Sequence, residues 1–334
     1  MLTMQVSRLC FCSYALLLGT GYRESCEPSR IAGSEVQLKI AYLILTHRNP
    51  RLLKRTVQAL SSDDCSFFIH IDKKSDIADF SEIRGDNVSF TNKRVPVYWG
   101  EYSQVRAILL LIRQALESSE HYDYLVLLSG SEYPLRGRRY IHAYLEANQG
   151  VEFMNLGKVP APGKPLARIT TLRFESDKPV RRLASRALAK IGLVQRDLRK
   201  HLGKLEPYSG RTWWALTESA SQFLMEFIVQ HPQIERFFEN TFAADESFLH
   251  TILGNSAFGS RARGNLHFED WSVAASHPAM IDDRHIAYFR SREQVFDGGL
   301  STGPVESLFA RKFSDENLHI LDAIDEMIAE KEGH

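Results

Sequence analysis

Short apolar runs alternate with helical patterns through the first half of the chain. Residues 39–45 (KIAYLIL) and 67–71 (FFIHI) are nearly continuous apolar runs, as expected of strands that are buried on both faces of a sheet. Between them, Leu53, Val57 and Leu60 recur at helical spacing. A strand, a helix and a second strand in close succession predict a βαβ unit and therefore a parallel sheet.

The same alternation continues as far as residue 155. The further predicted elements are short strands at 88–90 and 95–98, a helix over 102–116, a buried strand at 124–128, a helix over 138–147 and a strand at 151–155. Polar residues follow three of the strands, at 46–48 (THR), 72–74 (DKK) and 129–132 (SGSE). Because parallel strands end at a common edge, these polar residues predict a ligand cleft at that edge of an α/β fold.

The second half contains two stretches with candidate chemistry. Residues 209–217 (SGRTWWALT) predict a loop and a strand in which Trp213 and Trp214 face opposite sides, one in the core and the other a stacking surface for a sugar ring. In residues 237–253, Asp245 and Glu246 precede a helical apolar run. Two interpretations are open. In the first, Asp245 is the helix N-cap and Glu246 lies in the first helical turn. In the second, Glu246 has a catalytic role.

Residues 164–204 carry many more cations than acids, after a proline-containing stretch. Two interpretations stay open for this segment, a solvated basic insertion and a cover over an anionic ligand. Nucleic-acid binding is disfavoured because few aromatic residues are interleaved with the charges and no fold signature is present. The chain also lacks the glycine-rich, P-loop, HExxH and GxSxG motifs of common nucleotide, zinc and serine-hydrolase sites.

Composition narrows the class of protein. The 334 residues are 44% hydrophobic and 25% charged with a net charge of +0, which is typical of a globular protein without a field that attracts nucleic acid or membrane. After residue 26, Cys65 stands alone, so no disulfide framework or Cys/His metal cluster is predicted and a reducing compartment is favoured. The apolar run at 9–20 is shorter than the roughly 20 residues of a membrane span. We expect a cytoplasmic protein, with contact to a membrane surface left open and residues 1–36 a tail or a degenerate signal or anchor.

Eight segments, in matching order between residues 39 and 314, resemble glycosyltransferase family 14. They are AYLILTHRNP, FFIHIDKKS, VYWGEYSQVRAILLLI, YDYLVLLSGSEYPL, SGRTWWALT, FFENTFAADESFLHTIL, DWS and LFARKF. The family comprises core-2/I-branching β-1,6-N-acetylglucosaminyltransferases and peptide O-xylosyltransferases, and VYWGEYSQV and LFARKF are closer to the second branch. The resemblance implies a GT-A type fold at 37–316, divided into a nucleotide-binding half (37–155), the basic insertion (156–207) and an acceptor and catalytic half (208–316). A C-terminal helix would occupy 317–334.

The resemblance also implies a UDP-sugar donor and inversion at the anomeric carbon. It assigns the general base to Glu246, the uridine contact to Asp72, and the diphosphate contacts to Lys312 and Arg311, with Arg284 as the candidate for a further arginine. The acceptor contacts that it suggests are Glu152, Arg168, Trp213, Trp214 and Asp245, the last of which remains equally readable as a helix cap.

No D-x-D motif occurs in the sequence. Since an inverting transfer needs one base and positive charge on the departing diphosphate, Lys312 and Arg311 are expected to supply that charge without a metal or other cofactor. The sparse cysteines, the missing clear anchor and Ala244 in place of a frequent proline suggest a minimal, bacterial-type member. The donor sugar, xylose or N-acetylglucosamine, stays open, as does the acceptor, a saccharide, a glycolipid or a hydroxyl-bearing peptide. The rival class is a non-catalytic UDP-sugar or glycan-binding protein with the same fold.

Overall fold

The computed structural model describes residues 38–161, 163–172, 195–273, 277–296 and 305–333, with the single residues 180, 183 and 187. The tail predicted for residues 1–36 lies outside the described residues. So do six cations of the basic stretch, which are Arg173, Lys178, Arg181, Arg182, Arg186 and Lys190.

Twelve strands occur in the described part of the chain. They are β1 (Ile40–Thr46), β2 (Cys65–Ile71), β3 (Val88–Phe90), β4 (Tyr124–Ser129), β5 (Glu132–Pro134), β6 (Glu152–Phe153), β7 (Gly157–Lys158), β8 (Tyr208–Ser209), β9 (Ala215–Thr217), β10 (Ala262–Arg263), β11 (His267–Glu269) and β12 (Phe309–Arg311). Seven form one sheet in the order β10-β6-β9-β4-β1-β2-β3, in which only β9 runs against its neighbours. A smaller sheet has the order β11-β12-β5, and β7 pairs with β8.

Ten α-helices pack around these sheets in the same described residues. They are α1 (Pro50–Leu60), α2 (Ser103–Leu116), α3 (Arg138–Ala147), α4 (Ala167–Thr170), α5 (Leu198–Leu202), α6 (Glu218–Gln230), α7 (Pro232–Phe238), α8 (Phe248–Gly254), α9 (Asp283–Arg290) and α10 (Leu318–Glu332). None of them is both long enough and apolar enough to cross a lipid bilayer.

The central sheet is buried on both faces, which is why its strands read as continuous apolar runs. Leu43 of β1 lies in one core cluster with Ile108 of α2, and Ile44 lies in a second cluster with Val57 of α1. The alternation of side chains along β1 sends neighbouring residues to opposite faces, where a helix covers each. The predicted α/β fold with a mostly parallel sheet is therefore confirmed.

Two local predictions are wrong. In both places, polar groups form hydrogen bonds with the surrounding loops, and the predicted element does not form there. Residues 95–98 form no strand, because the Val95 N–H donates to His70 Nε2 (3.0 Å) and the Val97 N–H donates to Asp72 (3.3 Å). Asp245 is not an N-cap, since Ala244–Glu246 is a 3-10 turn and α8 begins only at Phe248. The sequence pattern located the helix but not its first residue.

Candidate active site

The carboxyl ends of β1, β2 and β4 meet at one edge of the sheet, as the polar triplets predict. Thr46 lies beside Ile71 in the strand register, and its carbonyl accepts a hydrogen bond from the Asp72 N–H (2.8 Å). Gly130 follows β4 so closely that a Cβ there would lie 2.1 Å from Thr46 Oγ1, so only glycine fits. The loops after the three strands are thus tied to one another at this edge.

The carboxylate of Asp72 is buried and organises the loop beyond β2. Its oxygens accept hydrogen bonds from the backbone N–H groups of Lys74 (2.9 Å) and Val97 (3.3 Å). The ammonium of Lys74 is 3.4 Å away. Because a carboxylate offers about four acceptor sites, Asp72 keeps capacity for a ligand N–H or hydroxyl.

Lys312, the residue after β12, joins this edge as part of a group of cations. Burial, and then the charges of Arg311 and Arg48, lower the pKa of Lys312 to about 8. The pKa of His47, after β1, is lowered by partial desolvation and then by Arg48, with a smaller lowering from Lys312. The repulsion between these cations is reduced when an anion binds between them.

Glu246 lies in a small pocket that also contains Lys164, Arg168, Phe242 and Ser209. Its Oε2 is 2.7 Å from Lys164 Nζ and 3.2 Å from Arg168 Nη1. Its carbonyl accepts hydrogen bonds from the Gly210 N–H (2.9 Å) and the Ser209 hydroxyl (2.8 Å). The main chain of Glu246 is therefore fixed by two hydrogen bonds to its carbonyl, and its carboxylate faces two cations.

The neighbouring carboxylate, Asp245, is turned inward. It accepts hydrogen bonds from the Thr212 hydroxyl (2.6 Å) and from Gln104 Nε2 (3.1 Å). Burial, and then the charge of Glu246, raise the pKa of Asp245 to about 6. Asp245 thus fixes the loop behind Glu246, and the acceptor contact predicted for it remains a prediction.

A single loop joins the Asp72 side of the edge to Glu246. The loop bonds to Asp72 at Val97, the Gly100 carbonyl accepts a hydrogen bond from the Ala243 N–H (3.0 Å), and α2 then presents Gln104 to Asp245. At Gly100, with φ of +72°, a Cβ would lie 2.7 Å from the Phe242 ring. Trp99 lies between these anchors, 69% exposed, with its ring edge-on to Phe242 at 5.7 Å. The Asp72 side of the edge and the Glu246 turn are thus held by the same loop.

Ion pairs also connect Arg211 to Arg311, the residue before Lys312. Glu269 is 3.5 Å from Arg211 and 3.0 Å from Arg311, which precedes Lys312. Burial lowers the pKa of Arg211, and the charges of Glu269 and, more weakly, Glu246 raise it. Arg211 is therefore influenced by both carboxylates, and Glu269 connects it to Arg311, the neighbour of Lys312.

Arg311 is not placed as a free diphosphate ligand. Its guanidinium contacts Glu269 and Glu132 (3.4 Å), lies 4.6 Å from the centre of the Trp213 ring and is only 13% exposed. The structure uses Arg311 to pair buried carboxylates.

Arg284 finds no support either. It lies in the first turn of α9, is 83% exposed and pairs with Asp282 (2.8 Å). The guanidinium that was predicted to contact the diphosphate is instead paired with Asp282, two residues earlier.

The structure does not support the acceptor contact predicted for Glu152. It lies fully buried in β6 and accepts hydrogen bonds from the N–H (2.9 Å) and hydroxyl (2.7 Å) of Thr217. Thr217 is beside Tyr124, the first residue of β4, so Glu152 lies at the amino edge of the sheet, opposite the cleft. Its carboxylate stabilises the junction of β9 and α6.

The two tryptophans also differ from the prediction. Trp213 and Trp214 are 6% and 1% exposed and belong to the same core cluster, and Arg311 covers the ring of Trp213. Neither ring is available for a sugar, because both lie in the core immediately before β9. Trp99 and Trp271 are instead exposed.

Sequence reasoning missed Lys164 and Phe242, which line the Glu246 pocket, and Gln104, which contacts Asp245. Lys164 lies before α4 in an isolated bridge with Ala161, so helical spacing gives no signal for it. Phe242 and Gln104 carried no signal, since they reach the site only through the folding of distant segments. Among the described residues, no group of three or more His, Cys, Asp or Glu side chains is placed to hold a metal ion.

Comparison with known proteins relates the chain to curated xylosyltransferases. It is 28% identical to xylosyltransferase 2 of Homo sapiens over 283 residues, which is 80% of this chain and 30% of the relative. It is 28% identical to xylosyltransferase 2 of Rattus norvegicus over 252 residues, 70% of this chain and 27% of the relative. The chain thus spans less than a third of the length of these relatives. A solved bifunctional glycosyltransferase, WbbM, covers 87% of this chain and 50% of its own, with 9% identity and a TM-score of 0.39.

The model of one protein family, described as Core-2/I-Branching enzyme, matches residues 40–291. This range contains the whole central sheet, Asp72, the 97–104 loop and Glu246. The mostly parallel sheet agrees with the GT-A type fold expected from the sequence. The chain belongs to the Core-2/I-branching enzyme family.

Proposed function

We propose that this protein is an inverting glycosyltransferase that moves a sugar from a UDP-sugar to a hydroxyl group of an acceptor. The observation that carries the proposal is the 97–104 loop, which bonds to Asp72 at one end and to the turn containing Glu246 at the other. In the proposal, this loop keeps the Glu246 carboxylate and the cations around Lys312 in one cleft. Those are the two requirements of an inverting transfer, a base and positive charge on the leaving group.

In the proposed reaction, Glu246 takes the proton of the acceptor hydroxyl. The hydroxyl oxygen then bonds to the anomeric carbon, on the face opposite the UDP. The bond from that carbon to the diphosphate oxygen breaks, and its electron pair leaves with UDP, whose charge Lys312 stabilises with help from Arg48. Asp72 contacts the uridine at the end of β2. The proposal needs no metal ion for these steps.

Arg168, beside Glu246, is proposed to orient the acceptor together with Lys164. Both reach the Glu246 carboxylate from the same side, so a hydroxyl that approaches Glu246 meets them. The exposed ring of Trp99 offers a flat apolar face to a sugar in the cleft. Xylose is favoured as the transferred sugar by the names of the similar proteins, whereas the acceptor stays open among saccharides, glycolipids and hydroxyl-bearing peptides.

The substitution Glu246→Gln tests the proposal. It removes the base while keeping the size of the side chain, so transfer should fall by roughly 10²- to 10⁴-fold. Transfer is measured as UDP release from UDP-xylose and UDP-N-acetylglucosamine in the presence of oligosaccharide and glycopeptide arrays. Thermal stabilisation by the same nucleotides reports donor binding, which should be retained.

The matched control is Glu239→Gln, seven positions earlier, where the carboxylate pairs with Arg106 at the surface (3.0 Å). This variant should keep wild-type transfer. Equal transfer in the wild type and in Glu246→Gln would discard the base assignment. Donor binding without transfer in the wild type would favour the non-catalytic binding protein instead.

A further inference from the structure

The backbone of Lys312 is held by a different segment from the rest of β12. Strand β11 pairs with β12 as far as Glu269 and Arg311. One residue later, the Lys312 N–H donates to the Ala279 carbonyl (3.3 Å), and the Lys312 carbonyl accepts from the Ile281 N–H (2.8 Å). The position of Lys312 therefore depends on how residues 279–281 sit beside the end of β11.

His285 joins these two parts. Its Nε2 is 3.0 Å from Asp270 Oδ2, and its Nδ1 accepts a hydrogen bond from the Asp282 N–H (3.1 Å), with Asp282 Oδ1 2.7 Å from the same nitrogen. Asp270 directly follows β11, and Asp282 directly follows Ile281. One imidazole thus bridges Asp270, at the end of β11, and Asp282, which follows the residues 279–281 that bond to Lys312.

The bridge is itself fixed by its surroundings. The His285 ring is mostly buried and packs edge-on against Phe268 at 6.1 Å. The Asp270 carbonyl also accepts a hydrogen bond from the Ala279 N–H (2.8 Å). A hydrogen bond from Arg284, and then contact with His285, hold the pKa of Asp282 at about 2, and hydrogen bonds from Ser272 and His285 lower the pKa of Asp270. Both carboxylates are therefore anionic at neutral pH.

We propose that His285 is a positioning residue for Lys312, which it holds in place by clasping Asp270 to Asp282. The inference rests on the proposed function, in which Lys312 holds the diphosphate of the donor. A flexible lysine binds a diphosphate well only when its backbone is fixed beforehand. Loss of the clasp frees residues 279–281, and with them Lys312, while the Glu246 pocket is untouched. The expected defect is therefore in donor affinity and not in the chemical step.

The variants His285→Ala and Asp270→Asn test the clasp, with Asp283→Asn as the matched control because Asp283 is an exposed acid in the same helical turn. We expect the Kd for UDP and the KM for the UDP-sugar to rise on the order of 10- to 100-fold in the first two. The kcat at saturating donor and the behaviour of Asp283→Asn should stay close to wild type. A purely structural role would lower the unfolding temperature and leave the Kd for UDP unchanged, which would overturn the proposal.

A double-mutant cycle with Lys312→Ala supplies the second readout. Since the clasp acts through Lys312, Asp270→Asn should cause no further loss of UDP affinity in the Lys312→Ala background. Equal losses in both backgrounds would overturn the proposal even if His285→Ala fails to fold. Wild-type protein that binds neither UDP nor a UDP-sugar would instead refute the proposed function on which the clasp depends.

Discussion

At the scale of single residues, the site combines groups whose charge depends on their surroundings. Lys312 and Lys164 both have a pKa below the ordinary lysine value, and burial is the first cause for each. The difference lies in their partners, because Lys164 contacts the Glu246 carboxylate while Lys312 lies near Arg311 and Arg48. Lys312 therefore gains most from a bound diphosphate.

The lowered pKa of Lys312 predicts an alkaline limit for donor use. The ammonium is charged below a pH of about 8 and neutral above it, so kcat/KM for the UDP-sugar should fall as the pH rises through about 8. Lys312→Arg keeps its charge to a much higher pH, because the pKa of arginine exceeds about 12. It should therefore move this limit upward. Circular dichroism at each pH confirms that the protein stays folded, and an identical limit in both proteins would assign it to another group.

At the scale of elements, short segments without strong patterns build the site. The Ala244–Glu246 turn follows Ala243, which has φ of +50°, and this left-handed residue aims Glu246 away from α8. The loop before α2 forms a hydrogen bond with Ala243 at this turn, and Lys312 directly follows β12. By contrast, the long patterned elements, such as β1 and α2, form the support beneath.

The C-terminal helix α10 lies beyond the part of the chain that the family model matches, yet it is part of the core. Its Ile320, Leu321, Ile324 and Met327 are buried in one cluster with Ala310 and Phe313, on either side of the Arg311–Lys312 pair. The helix thus covers β12, the strand that Lys312 follows. Its sequence pattern, with Leu318, Leu321, Ile324 and Ile328 on one face, predicted a helix but no partner.

Leu321→Ala measures what α10 contributes. Leu321 is fully buried, so the truncation should lower the free energy of unfolding by about 2–5 kcal/mol, from lost burial and the cavity left behind. Urea denaturation gives the value. Leu321→Met, which keeps the volume, should cost less than about 1.5 kcal/mol. A loss for Leu321→Ala as small as that for the methionine variant would show that α10 is only loosely packed.

At the scale of the whole molecule, charge is balanced in number but not in place. The 41 basic and 41 acidic residues cancel, while Arg48 lies near Lys312, and Lys164 and Arg168 both contact Glu246. Cations clustered near a binding site attract an anionic substrate. Positive side chains can stabilise a leaving diphosphate as a bound cation does in other enzymes.

The corresponding prediction is that transfer continues in excess EDTA at the rate measured without it. Fixed ammonium and guanidinium groups are not removed by a chelator, whereas a catalytic divalent ion is. The assay compares initial rates before and after dialysis against EDTA, with a manganese-dependent glycosyltransferase as the control for complete chelation. Loss of activity that Mn²⁺ restores would contradict the prediction.

Local sequence patterns were enough to predict the elements that are buried on both faces and the edge at which they end. Continuous apolar runs such as residues 124–128 and helical spacing such as that of residues 138–147 follow from the local geometry of strands and helices, so β4 and α3 were predictable. The family resemblance rested on the same ordered segments. It named Glu246, Asp72 and Lys312 as site residues, and these assignments remain predictions.

Whether a candidate side chain is exposed, buried or paired depends on contacts that form in the folded chain. Glu152, Trp213 and Arg311 were reasonable by type, but their neighbours Thr217 and Glu269 come from distant parts of the chain and enclose them. Trp99 and the His285 clasp emerged in the same way. The physical reason is that burial and ion pairing depend on contacts between residues far apart in sequence, which no local pattern records.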